Sequence, residues 1–373
     1  MGESGDTKVR EMYRTLKLGR AKRKVLFEIT TFCNLNCPFC FNASSYDKHK
    51  IMTFDDFKVM IDKIKEKEIS IELSGGEPFS HPDIEKMIDY LIQCELPFNI
   101  NTNGMLVTEN ILDKIVDYGR GTIQFSLDGA SSEVDDVIRC EGHFDKIYSL
   151  MLQLNEKGFK GGILRMVINR LNYNQIEEYF YLALRNNFIP TYSFLVKSGR
   201  AGENWGNLCI DDCMKYEARS NIVKLIDENE EYFRKIRHET YVYYLKNMNI
   251  NYEDKCRFND EECGFTPLIH VDGSAQPCEG LFQEEFCIGN LLVQKFEEIY
   301  SKDNVLVKEI IFKAQKRRKH LEEDECHKCA INKMCGKGCL AEAYNKGDFY
   351  GKPSWCEVRK RDFLDTILKQ GGV

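Results

Sequence analysis

Between residues 25 and 200, six short apolar runs alternate with five amphipathic segments, and this alternation narrows the fold more than any other feature. The runs, at 25–30, 70–73, 98–101, 122–127, 163–168 and 191–196, have the length of strands. The segments between them, at 54–67, 84–94, 109–118, 145–157 and 176–186, space their apolar residues as helices do. Strands alternating with helices build βαβ units around a parallel sheet, so the fold class is α/β. Thr53 precedes the first helix, with Asp55 and Asp56 in its first turn, an N-cap that suits the helix dipole. Pro82, after His81, marks the opening of the next helix. Six such strands make either an open doubly wound sheet or a partial barrel, and periodicity alone does not choose between them. From residue 199 to 206 the chain is glycine-rich, and 211–247 is charged, aromatic and helical. Beyond 256 short strands and loops are punctuated by cysteines.

The chain has 373 residues, of which 43% are hydrophobic and 30% charged, a globular balance rather than a disordered one. A net charge of −7 argues against a nucleic-acid binder. No run of 18 apolar residues is present, so no membrane span is expected. The first 24 residues are polar and basic without an apolar stretch, unlike a signal peptide. A cytoplasmic location is the resulting expectation. In that reducing setting, 16 cysteines point to metal ligation rather than disulfides. Their distribution agrees: three crowd at 33–40 and nine follow residue 255.

Cys33, Cys37 and Cys40 stand in a C-x3-C-x2-C spacing directly after the first strand. Three thiolates on one loop hold three irons of a cubane and leave the fourth open to a substrate ligand. The alternative is a zinc loop lacking its fourth ligand, although zinc sites keep four protein ligands closely. After the second strand come Ser74, Gly75, Gly76, Glu77 and Pro78, where glycines permit close backbone approach. After the fourth come Ser126, Leu127, Asp128 and Gly129, then Ile138 and Arg139.

In this order the three stretches resemble the radical S-adenosylmethionine (SAM) superfamily. The resemblance implies a partial (β/α)6 TIM-like barrel, with SAM as cofactor and a [4Fe–4S] cluster on Cys33, Cys37 and Cys40. It implies that Gly75, Gly76 and Glu77 belong to the stretch that meets the SAM amino group. Ser126 and Arg139 would bind its ribose or carboxylate, and arginine suits a carboxylate through paired charged hydrogen bonds. Phe39 would lie against the adenine, with Leu195 of the sixth strand in the same pocket. The plainer alternatives are a strand-to-helix turn at 74–78, a surface ion pair for Arg139 and simple packing for Phe39. Cys140 follows Arg139 where relatives more often carry glycine.

Near the C-terminus, Cys263, Gly273 and Cys278 are followed by Cys326, Cys329, Cys335, Cys339 and Cys356, with Cys256 just upstream. This array resembles the SPASM pattern, and eight thiolates suffice for two fully ligated [4Fe–4S] clusters. The resemblance implies that auxiliary cluster I uses Cys256, Cys263, Cys278 and Cys339, and auxiliary cluster II Cys326, Cys329, Cys335 and Cys356. The expected cofactors are therefore three [4Fe–4S] clusters and SAM. Two zinc ribbons are the alternative, since thiolates select both metals. Cys94, Cys140, Cys209, Cys213 and Cys287 fall outside these motifs and read as soft core residues. The expected organisation is a basic arm at 1–24, the partial barrel at 25–200, a helical bridge at 201–255 and a small cysteine-rich SPASM domain at 256–373.

The resemblance implies an oxidoreductase that modifies peptides. SAM is cleaved reductively to a 5′-deoxyadenosyl radical, a peptide residue loses a hydrogen atom, and a thioether or carbon–carbon crosslink forms with the auxiliary clusters as electron acceptors. Alternatives are anaerobic sulfatase maturation from Cys or Ser to formylglycine, a peptide epimerase, a small-molecule cofactor-biosynthesis enzyme, and a non-catalytic electron carrier. Glu279, beside Cys278, is the candidate base; the alternative is a solvated carboxylate. Expected partners are a peptide or protein substrate and an electron donor such as flavodoxin or ferredoxin. Only 24 residues precede the first strand, too few for a winged recognition domain, so either a separate peptide-recognition protein delivers the substrate or the barrel mouth binds it directly. The arm carries Lys8, Arg10, Arg14, Lys17, Arg20, Lys22, Arg23 and Lys24, which suit either an acidic leader peptide or a solvated helix face. The basic stretch of Lys313, Lys316, Arg317, Arg318 and Lys319 is read in the same way.

Overall fold

The computed structural model describes residues 23–159, 162–236, 266–332, 337–352 and 355–370. Most of the basic arm lies outside the described residues.

One nine-stranded sheet runs in the order β6-β5-β4-β3-β2-β1-β7-β8-β9. The six strands predicted from the apolar runs are β1 (Arg23–Thr30), β2 (Ile69–Gly75), β3 (Phe98–Thr102), β4 (Gly121–Ser126), β5 (Gly162–Ile168) and β6 (Phe188–Phe194). Each pairs in parallel with its sequence neighbour. A doubly wound sheet reverses strand order at a switch point, and none occurs across these six. The partial barrel is the arrangement that remains. Its register sets Phe27 beside Leu73, Leu73 beside Ile100 and Ile100 beside Ile123. All four are fully buried in the main core.

The helices are α1 (Phe54–Ile64), α2 (Ile84–Gln93), α3 (Glu109–Tyr118), α4 (Ser132–Ile138), α5 (His143–Glu156) and α6 (Ile176–Arg185). Thr53 caps α1 as expected, its hydroxyl accepting from the Asp56 N–H at 3.0 Å. Pro82 falls ahead of the α2 N-cap, Asp83, rather than at the first helical position. The seven-residue α4 was not anticipated, because so short a helix shows no periodicity. Strand β6 begins three residues before the expected run and contains Pro190. Proline is tolerated there because β6 is an edge strand.

The expected bridge begins with α7 (Gly199–Glu203), α8 (Trp205–Leu208), α9 (Asp212–Glu228) and α10 (Glu230–Ile236). Among the described residues no strand pairs with the outer edge of β6. On the opposite side, the free edge of β1 is covered from the far end of the chain. β7 (Leu268–Ile269) joins β1 in parallel, and β8 (Ser274–Gln276) and β9 (Gly289–Asn290) follow antiparallel. Gly273 makes the turn between β7 and β8, with φ of +78° that a side chain would strain.

The remaining helices are α11 (Phe296–Ile299), α12 (Val305–Glu323), α13 (Leu340–Asn345) and α14 (Cys356–Gln370). Arg219 of α9 forms an ion pair with Asp362 of α14. The basic stretch in α12 is not uniformly solvated. Arg317 is buried and donates to the carbonyls of Lys337 at 2.7 Å, Phe349 at 2.8 Å and Gly351 at 3.0 Å. A guanidinium can satisfy three acceptors at once, which explains its burial where a lysine would fail. Among the described residues no helix is long and apolar enough to cross a membrane.

Candidate active site and cluster centres

At the C-terminal end of β1 the chain turns into the loop carrying Cys33, Cys37 and Cys40. The loop folds back on itself, the Cys40 N–H donating to Cys37 O and the Ala43 N–H to Cys40 O, both at 3.2 Å. Leu35, Cys37 and Phe39 pack with Ile138, Ala201 and Leu208 in a small apolar cluster separate from the main core. Cys33, Val134, Cys140, Val167 and Leu195 flank it. Four of the residues predicted around one site, Cys33, Cys37, Phe39 and Leu195, thus meet there, with Leu195 one residue beyond β6. Cys140, read from sequence as a core residue, belongs to the same cluster.

The start of the bridge clamps this loop. Arg200 donates from Nε to Cys37 O and from Nη2 to Ser44 O, both at 2.8 Å, and Asn204 Nδ2 donates to Pro38 O at 2.9 Å. Gly199 takes a φ of +53° and passes so close that a Cβ would overlap the carbonyls of Cys40 and Phe41. Arg200 and Asn204 were missed in the sequence; the glycine-rich stretch containing them was the only signal.

Gly75 and Gly76 serve a close approach, but to the protein's own backbone. The Gly76 N–H donates to Thr30 O at 2.7 Å and the Glu77 N–H to Phe32 O at 2.8 Å. A Cβ on Gly76 would overlap Phe32 O, and one on Gly75 would overlap Thr30 O. The Glu77 carboxylate is buried and accepts from the Phe79 N–H at 3.0 Å, Thr102 Oγ1 at 2.7 Å and the Asn103 N–H at 2.7 Å. Burial raises its pKa, and these donors oppose the rise. Glu77 therefore locks the end of β2 to the end of β3.

Arg139 is not a surface ion pair: its side chain is only 10% exposed. It pairs with Asp128, its Nε donating at 2.6 Å, and its guanidinium lies 5.1 Å from the centre of the Phe39 ring. Its Nη1 points at Cys37 Sγ from 3.6 Å. Ser126 ends β4, half-buried and beside Arg165 in the register.

The donor chemistry of the loop fits an iron–sulfur cluster. Burial pushes the Cys33 thiol up to about 12 and raises Cys37, so a metal must displace protons to bind. Nitrogen donors already face the sulfurs: the Leu35 N–H at 3.4 Å and Asn103 Nδ2 at 3.8 Å on Cys33, and Arg139 on Cys37. Such bonds stabilise cluster thiolates. Among the described residues no three side chains converge as ligands of a single ion. A cubane asks instead for three thiolates, each on its own iron.

In the C-terminal region burial pushes Cys278 up to about 12, and the like charge of Cys339 adds to the rise, so these two predicted co-ligands lie near one another. Lys360 is raised chiefly by its hydrogen bond to Glu357, and also by Cys356 and Cys329, two predicted ligands of the other cluster. Cys326 sits beside Cys329 in the turn Glu325–Lys328. Cys256, Cys263 and Cys335 lie outside the described residues. Glu279 is exposed next to Cys278. The structure adds a pair that sequence reasoning missed. Phe27 registers with Ile269, so Glu28 stands beside His270, and His270 Nδ1 lies 2.5 Å from Glu28 Oε2. Asn42 Nδ2 donates to the other oxygen of Glu28 at 3.0 Å. His270 Nε2 is buried without a hydrogen-bond partner among the described residues.

Comparison with known proteins agrees with this geometry. Residues 27–183 match the radical SAM superfamily, and residues 256–330 match SPASM, an iron–sulfur cluster-binding domain. The mycofactocin maturase MftC of Mycobacterium tuberculosis is 25% identical over 326 residues, covering 86% of this chain and 79% of the relative. The antilisterial bacteriocin subtilosin biosynthesis protein AlbA of Bacillus subtilis is 26% identical over 352 residues, 92% of this chain and 72% of the relative. The AdoMet-dependent heme synthase of Methanosarcina barkeri is 28% identical over 362 residues, 92% of this chain and 99% of the relative. Among solved structures, native anSMEcpe with bound AdoMet and Cp18Cys peptide superposes with a TM-score of 0.72 at 17% identity, covering 93% of this chain and 97% of that one. The chain belongs to the radical SAM superfamily and carries a C-terminal SPASM domain, which makes it an enzyme of SAM and iron–sulfur clusters.

Proposed function

We propose that this enzyme matures a ribosomally made peptide by an oxidative crosslink. The observation that carries this reading is the match to two peptide-maturation proteins, MftC and AlbA, across most of this chain. Cys33, Cys37 and Cys40 would hold the cluster that binds SAM, and the eight C-terminal motif cysteines two further [4Fe–4S] clusters. SAM held beside that cluster would supply the radical chemistry that removes a hydrogen atom from the substrate. The chain's own part is to orient and to exclude water. Arg200 and Asn204 clamp the ligand loop, Glu77 fixes the turn beside it, and Phe39, Ile138, Leu195 and Leu208 supply an apolar wall. A flavodoxin or ferredoxin would deliver the electron, and a separate protein would present the peptide.

Crosslinking releases a proton as well as an electron. Glu279 is one candidate acceptor. His270 is the other, since Glu28 holds Nδ1 and leaves Nε2 as the free nitrogen.

A second reading has its own support, because the heme synthase relative matches over nearly its full length. Its substrate would be an iron porphyrin. The test is to reduce the reconstituted enzyme with SAM in the presence of either iron-coproporphyrin III or the short peptides encoded beside its gene. Mass spectrometry should find a peptide lacking two hydrogens and an unchanged porphyrin. Loss of carbon dioxide from the porphyrin, with no peptide modified, would contradict the maturase reading. In the same assay, His270→Gln and Glu279→Gln should differ: the variant lacking the acceptor forms at least about tenfold less product per 5′-deoxyadenosine.

A further inference from the structure

A hydrogen-bonded ring leaves the ligand loop at Cys33, passes through residues that follow β3 and β4, and returns at Cys37. Cys33 Sγ accepts from Asn103 Nδ2 at 3.8 Å, an amide also bound to Asn34 Oδ1 at 2.8 Å. Asn103 O accepts from His143 Nε2 at 2.9 Å. His143 Nδ1 is hydrogen-bonded with Asp135 Oδ2. Asp135 Oδ1 accepts from the Asp128 N–H at 2.6 Å. Asp128 holds Arg139, and Arg139 Nη1 faces Cys37 Sγ at 3.6 Å. His143, Asp135 and Asp128 are each 0% exposed.

Chemistry makes this ring rigid. The His143 ring is held at both nitrogens, Nε2 by the Asn103 carbonyl and Nδ1 by the Asp135 carboxyl group. Asp135 is filled from the His143 side and from the Asp128 backbone. Asp128 receives the Val167 N–H at 2.7 Å on its second oxygen. Buried charges of this kind are tolerated when every partner is present, and breaking one link leaves an uncompensated charge. The side-chain donors to Cys33 and Cys37 are Asn103 and Arg139, and Asp135 and His143 hold the residues that fix them.

We propose that Asp135 and His143 are positioning residues that aim the Asn103 amide and the Arg139 guanidinium at Cys33 and Cys37, and so raise the reduction potential of the cluster those thiolates hold. The inference rests on the assignment of the SAM cluster to Cys33, Cys37 and Cys40, not on the identity of the substrate. Donors and positive charge beside the thiolates favour the reduced, more negative cluster. Without them the cluster is harder to reduce, and SAM cleavage needs that reduction.

The test is a potentiometric titration of the reconstituted protein, followed by electron paramagnetic resonance. The resonance that changes on adding SAM reports the open cluster and separates it from the C-terminal ones. In His143→Gln and Asp135→Asn, the ratio of reduced to oxidised cluster at the wild-type midpoint should fall about tenfold, equal to 59 mV for one electron. Asn103→Ala removes one donor without opening the buried ion pairs, and should shift the ratio the same way even where the other variants fold poorly. A SAM-responsive resonance titrating at the wild-type potential in Asn103→Ala and in each folded variant overturns the inference alone. A wild-type protein with no SAM-responsive resonance overturns the ligand assignment and this inference with it.

Discussion

His81 sits between one acceptor and one donor. Its Nε2 donates to Met52 O at 2.7 Å and its Nδ1 accepts from the Asp83 N–H at 3.0 Å, so only the neutral ring fits. Burial lowers its pKa below the ordinary 6.5. Above 6.5 the ring is neutral folded or unfolded, and contributes nothing to pH dependence. Below it the unfolded chain takes up a proton that the folded chain resists, so stability falls as pH drops. Melting temperatures measured from pH 7.5 to 5 should decline in the wild type and decline less in His81→Gln. An identical slope in the two proteins would contradict this account. Gly76 gives a second prediction. Its missing side chain faces backbone, which cannot move aside as a side chain would. Gly76→Ala should cost about 3 kcal/mol by denaturant titration and reduce iron loading. Gly119→Ala, at φ of +66° with no atom within 4 Å of the added carbon, should cost only about 1 kcal/mol. At this scale the sequence marked Gly75, Gly76 and Glu77 as special. It could not reveal that they answer to Thr30, Phe32, Thr102 and Asn103. Asp135 and His143 carried no signal, since a buried polar residue is recognisable only by partners distant in the chain.

Among the elements, the six parallel strands were readable because each buried face forces a run of apolar residues. Their order was not, since periodicity records burial and not neighbours. Strand β7 is two residues long and pairs with β1 from more than 240 positions away, beyond the reach of any local pattern. It closes the free edge of β1 and brings His270 to Glu28. Helix α12 illustrates the same limit. Its basic stretch reads as one solvated face, but Arg317 turns inward to gather the carbonyls of Lys337, Phe349 and Gly351, on either side of Cys339. Arg317→Lys keeps the charge and loses the fork. It should cost about 3 kcal/mol by chemical denaturation, since buried acceptors lose charged donors. A change under about 0.5 kcal/mol, the range of a surface substitution, would show that the staple is dispensable.

For the whole molecule, the sheet runs unbroken from the barrel into the cysteine-rich region, so the two regions share one scaffold. Cysteine spacing made both regions legible from sequence, because ligand loops need fixed separations that no core packing would impose. The spacing did not disclose the clamp from Arg200 and Asn204, or the ring that joins Cys33 to Cys37. The most direct test of the account combines metal analysis with SAM turnover in the anaerobically reconstituted chain. The account predicts about 12 irons per chain and 5′-deoxyadenosine on reduction. Replacing Cys33, Cys37 and Cys40 together with alanine should remove about four irons and abolish 5′-deoxyadenosine, while the other irons remain. Zinc in place of iron, or 5′-deoxyadenosine formed at the wild-type rate by the triple variant, would contradict it.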